Sequence, residues 1–141
     1  MSVDLLEYGV FSFVEDEADY DESNNSLTGY FIHPPDIKLL KQTDEIKIKK
    51  KLSFGIKYFI KCDNSDLIES FISRIRHPEM KNPNTKIVAL EIIEHNNLDI
   101  NSTGFDFFVF ENDWEMLQGK WEFTLEQGDK VLLRKSFNLT K

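Results

Sequence analysis

Two stretches of the chain alternate apolar and polar residues too regularly for a helix. Phe54, Ile56, Tyr58 and Ile60 fall on one face, with Lys57, Phe59 and Lys61 between them. Trp121, Phe123 and Leu125 alternate in the same way with Lys120, Glu122, Thr124 and Glu126. Successive side chains leave a strand on opposite faces, so a period of two puts one row in a core and the other towards solvent. On a helix the same residues would spread around the circumference. A chain built on such strands must pair them into sheets and cover the apolar face, which leads to a sandwich or a barrel.

Further strand signals lie at residues 5–14, 27–32, 45–48, 86–94, 104–110 and 130–139. On the last of these, Val131, Leu133, Phe137 and Leu139 are expected on one side. Gln127-Gly128-Asp129 reads as a hairpin turn, because glycine accepts the positive φ that other residues resist. Residues 66–77 carry apolar residues at helical spacing, Leu67, Ile68, Phe71, Ile72 and Ile75, yet their β-branched content and all-β surroundings assign them to a strand. His33-Pro34 and His77-Pro78 are expected to stop strands, since the residue before proline is held extended. His95 is expected in a loop. The expected architecture is all-β: an antiparallel two-sheet sandwich of seven or eight strands, in one domain spanning residues 1–141, with residues 15–26 an exposed acidic loop.

Charge is laid out unevenly. Residues 1–36 carry nine acids and no Lys or Arg, a balance of −9, whereas residues 38–61 balance at +6 through eight lysines. The whole chain sits at −8, which repels nucleic acid and anionic membrane at long range. Lys47, Lys49, Lys50 and Lys51 are therefore read as guards of a sheet edge rather than as a nucleic-acid patch. The acidic run fails as a calcium loop: a start at Asp19 would require Gly at position 24 and Glu at position 30, where the chain has Asn24 and Tyr30. No stretch approaches 18 apolar residues, and the N-terminal residues lack a secretion signal's basic start and apolar run. Cys62 is the single cysteine, so no internal disulfide forms, and the expected location is the reducing cytoplasm. Cys62 itself reads as a small buried or half-buried side chain.

No phosphate-binding glycine loop, zinc-protease motif or nucleophile elbow is present. His33, His77 and His95 are widely spaced in sequence, so no catalytic residue, metal ligand or cofactor is assigned. Trp121 is read as core. Trp114 is weighed between a core position and an anchor for a partner, with Asp113, Glu115 and His77 as accompanying contact residues.

Several motifs carry a family likeness in their order and spacing. They are Tyr8-Gly9-Val10-Phe11, Phe54-Gly55-Ile56-Lys57-Tyr58, His77-Pro78, Asn112-Asp113-Trp114-Glu115-Met116, Gly119-Lys120-Trp121-Glu122-Phe123, Gly128-Asp129-Lys130-Val131-Leu132 and Ser136-Phe137. With these the chain resembles, over nearly its whole length, a bacterial family known only as a domain of unknown function. The resemblance implies an immunoglobulin-like sandwich loosely similar to ApaG-type domains, although their glycine-rich phosphate-binding signature is missing here. It implies no activity and no site residues.

The expected function is that of a non-enzymatic cytoplasmic sandwich that binds a protein or another copy of itself. Two other readings stand beside it: an acidic immunity-type neutraliser of a basic toxin, and a binder of a small ligand or metal.

Overall fold

The two alternating stretches are inner strands of two different sheets. The computed structural model describes residues 1–23, 25–63 and 68–141. Among these residues the strands are β1 (Ser2–Ser12), β2 (Asp19–Glu22), β3 (Tyr30–His33), β4 (Lys38–Gln42), β5 (Glu45–Lys47), β6 (Ser53–Lys61), β7 (Ile68–Lys81), β8 (Val88–Asp99), β9 (Thr103–Val109), β10 (Gly119–Gln127) and β11 (Lys130–Thr140). Single 3-10 turns occupy Glu15–Glu17 and Asp113–Glu115. One sheet runs β4-β1-β6-β9 and the other β5-β11-β10-β7-β8, while β2 and β3 form a small ribbon of their own.

Alternation explains the stacking. Phe54, Ile56, Tyr58 and Ile60 on β6 are fully buried and meet Trp121, Phe123 and Leu125 of β10 across the sandwich. The Phe54 ring stands edge-on to Trp121, Phe123 and Phe137, at centroid distances of 5.6, 5.5 and 5.3 Å. Edge-to-face geometry of this kind adds to the burial itself, by about 0.5–1.5 kcal/mol per pair. The opposite face of the second sheet is wet, and there Arg74 reaches Glu91 at 2.8 Å and Glu126 at 2.9 Å. Gly128 turns the β10–β11 hairpin at φ 59°, as its place in the sequence required.

The all-β sandwich stands as expected, with differences that have physical causes. The described residues form eleven strands rather than seven or eight, because short edge pieces such as Lys38–Gln42 bury too little to leave an apolar signal. The pairing is antiparallel except for β5, which lies parallel to β11. Residues 19–22 of the acidic run are a strand, paired with β3, although their side chains are exposed as anticipated. Strand β7 is a strand from Ile68 onward; Asp66 and Leu67, which belong to the same expectation, lie outside the described residues.

His77-Pro78 does not stop β7. The strand passes through both residues and takes up the proline at an irregularity between Arg76 and Met80, where no ladder bond is needed from it. His95 lies within β8 rather than in a loop. Val131 is 42% exposed, because a register shift between Leu125 and Glu126 sends it to the solvent face. Lys47 does sit on the edge strand β5, but Lys49, Lys50 and Lys51 lie outside the strands, between β5 and β6.

Candidate functional site

The two sheets end on one side in β8 and β9, and the space between these two strands is not filled. In the β6–β9 ladder Tyr58 faces Gly104, Ile56 faces Asp106 and Phe54 faces Phe108. Directly opposed residues share a face, so Gly104, Asp106 and Phe108 take the same side as the buried row of β6, towards the second sheet. In the β7–β8 ladder Ile92, Glu94 and Asn96 likewise share a face with buried Ile75, Ser73 and Phe71. A cleft of about 340 Å³ results, walled by Ile75, Ile92, Leu98, Phe108 and Val109.

Its floor is polar. Ser73 Oγ donates to Asp106 Oδ1 at 3.0 Å, and Asn96 Nδ2 donates to Ser73 Oγ at 3.3 Å. Asp106 Oδ2 is buried and meets no hydrogen-bond donor. Burial raises the Asp106 acid to about 7 against the pull of the Ser73 bond, and the negative Glu94 adds to the rise. Tyr58 is held far above the usual phenol range, first by burial and then by Asp106. Its ring fills the space beside Gly104, where an added Cβ would lie 2.6 Å from the Tyr58 Cε2. Glycine at position 104 is therefore a steric requirement of this floor.

The β2–β3 ribbon closes the mouth. Ser26, Thr28 and the residues of β3 line the cleft, and two polar latches tie the ribbon down. Tyr30 Oη donates to Glu111 Oε1 at 3.0 Å, and burial together with that carboxylate pushes the phenol up to about 12. His33 Nε2 meets Glu94 Oε1 at 2.6 Å while its Nδ1 bonds Asp21. Burial opposes the charge on His33, but the hydrogen bonds to Glu94 and Asp21 outweigh it and raise the imidazole above its ordinary value. The two acids occupy opposite ring nitrogens, so this trio does not converge on a point where an ion could sit. No group of three or more metal-ligating side chains occurs among the described residues.

The four residues expected to touch a partner differ in exposure: Asp113, Trp114 and Glu115 share one 3-10 turn, and His77 lies on β7, which packs against that turn. Trp114 is half-buried against the core and Asp113 is exposed. Glu115 is 3% exposed: its carboxylate turns inward to accept from the backbone N–H groups of Glu111 and Asn112 and from Asn112 Nδ2, at 3.1, 2.7 and 2.9 Å. Burial still raises its acid above the ordinary range. His77 is 6% exposed, with Nδ1 donating to the Pro78 carbonyl at 2.7 Å and the ring 5.2 Å from Trp121. Burial lowers its basicity. Glu115 and His77 are thus withdrawn from the outer surface.

Sequence reasoning does not single out the cleft residues. The available signal is the stretch GFDFFVF, in which Gly104, Asp106, Phe108 and Phe110 share one parity, so a carboxylate stands in a core-facing row. The sequence leaves open which row faces in, since both are apolar.

A solved immunoglobulin-like protein from Pseudomonas aeruginosa is similar to this chain, with a TM-score of 0.69 and 20% sequence identity, over 99% of this chain and 98% of that one. At that identity the likeness speaks for the fold. A comparison with curated proteins finds no match. Neither finding extends to the ApaG-type domains. The profile of the family described as Domain of unknown function (DUF3859) matches residues 1–139, and the chain belongs to that family.

Proposed function

We propose that this immunoglobulin-like sandwich is a non-enzymatic module that binds a small organic molecule in the cleft between β8 and β9. The observation that carries the reading is the cleft itself: about 340 Å³, apolar-walled, with few polar groups on its floor. Ligand sites are typically concave, mostly apolar and within about 300–1,000 Å³. Amide-detected NMR of labelled protein against a fragment library tests this. Shifts should cluster at residues 92–98 and 103–109; hits that scatter over the outer faces, or no hits at all, would refute it.

A second reading keeps the partner a protein. Ile87, Val88 and Leu90 are exposed at the start of β8, the terminal strand of its sheet, where Leu90 is 62% accessible. An open edge with apolar side chains suits strand addition. Steering of one copy by another through the −9 and +6 segments has less support, because Lys57 and Lys61 already reach Asp36 and Asp4 of the same chain at 3.4 and 3.3 Å. The toxin-neutralising reading draws only on the net charge of −8. The lone Cys62, free and half-buried, fits a reducing cytoplasmic setting.

A further inference from the structure

We propose that the cleft takes an organic cation, an ammonium group on an apolar body, whose N–H donors fall on Asp106 Oδ2. The inference rests on the small-molecule reading above and specifies the chemistry of the ligand. Among the described residues, four acids line the cleft, Glu94, Asp106, Glu111 and Glu115, against His33 as the one basic residue. Each accepts on one oxygen: Glu94 bonds His33, Glu111 takes the Tyr30 hydroxyl, Glu115 takes three N–H groups, and Asp106 takes the Ser73 hydroxyl on Oδ1. What sets Asp106 apart is that its second oxygen, Oδ2, is buried and meets no donor among the described residues.

An unfilled buried acceptor is destabilising in either protonation state, since ionised it lacks a donor and protonated its O–H lacks an acceptor. A ligand N–H satisfies it. The charge of the ligand follows from the surroundings. An anionic ligand would meet four acids against a single histidine, whereas a cation is attracted by them. A bare divalent ion is disfavoured, because no three metal-ligating side chains converge among the described residues. The apolar walls call for a hydrocarbon or aromatic body behind the ammonium group.

The test is a charge series on fixed skeletons: butylamine, 2-phenylethylamine and tryptamine, each beside the alcohol and the carboxylate of the same carbon frame. Binding is measured by calorimetry and amide NMR at pH 8 on the full chain. At least one amine should bind about tenfold or more tighter than its alcohol, with the carboxylate weakest, because hydrogen bonds to charged groups are the strong ones. Asp106→Asn, nearly isosteric, should remove that preference and leave alcohol affinity almost unchanged. The unmutated protein answers the charge question even if the variant fails to fold. Alcohols or carboxylates binding as well as amines would overturn the cation assignment and leave the cleft reading intact. Failure of every member of the series, whatever its charge, would overturn both.

Discussion

At the residue scale, Asp106 governs how stability responds to pH. Its folded-state value of about 7 lies above the ordinary 3.8, so between these values the native chain holds a proton that the unfolded chain has released. The resulting stabilisation is fully present below about pH 4 and is lost as pH rises through 7. Raising an acid's midpoint by one pH unit corresponds to about 1.4 kcal/mol, so the loss is on the order of a few kcal/mol. The groups that face Asp106 are Tyr58 on β6, Ser73 on β7, and Glu94 and Asn96 on β8, with His33 of β3 behind Glu94. His33, raised above its usual value, also loses its contribution as pH rises, and it is too exposed for that share to be large. Urea unfolding at pH 5 and pH 8 should therefore show the parent losing more stability across that interval than Asp106→Asn does; His33 and Glu115 contribute falls common to both proteins, and His77, lowered by burial, a common rise. Trp114 poses a simpler question. Half-buried against the core, it should cost about 2 kcal/mol on truncation to alanine, read as a lowered urea midpoint. An unchanged midpoint with loss of a binding partner would make it an anchor instead.

At the scale of elements, the β2–β3 ribbon stands apart from both main sheets. Its side chains on β2 are all exposed, and its ties to the sandwich are the Tyr30–Glu111 and His33–Glu94 contacts and, from its connecting loop, Leu27, whose carbonyl accepts from Asn82 Nδ2 at 2.9 Å. Elements with few buried contacts open below the global unfolding limit. His33→Gln combined with Tyr30→Phe should speed amide exchange in Asp19–Glu22 and Tyr30–His33 at least about tenfold, with the β6 and β10 amides unaffected. Equal acceleration in β6 would mean that the ribbon is part of the cooperative core. This element also marks where the sequence is hard to read. Acidic residues disfavour strands, and β2 consists of Asp19, Tyr20, Asp21 and Glu22, so its strand character comes from pairing with β3 alone. The inner strands β6 and β10 are legible because one face is buried and the other is not. Strand β7 is ambiguous for the opposite reason, with apolar residues on both faces, and its passage through Pro78 depends on a bulge that residue types do not announce.

At the scale of the whole molecule, the two sheet ends differ. The second sheet ends on one side in short β5, rich in charge, and on the other in long β8 with Val88 and Leu90 uncovered. If that edge associates, light scattering should detect a dimer that Leu90→Lys reduces to monomer at unchanged melting temperature. A monomer at every concentration would reject the edge reading. The cleft lies at this same end, which residue patterns could not reveal, because it arises where two sheets diverge and not within either one.

The parallel contact of β5 with β11 carries a consequence for how the molecule assembles. Residues 38–42 belong to one sheet and residues 45–47 to the other, so the chain changes layers within a few residues and ends beside a strand about ninety positions further along. Strand β9 makes the reverse passage, returning late chain to the sheet that early chain began. Each layer is thus laced to its opposite by covalent chain on both flanks, and neither can peel away while the other persists. Loss of the two main sheets should be all-or-none, and folding should wait on the pairing of β5 with β11 and of β6 with β9, strands far apart in sequence.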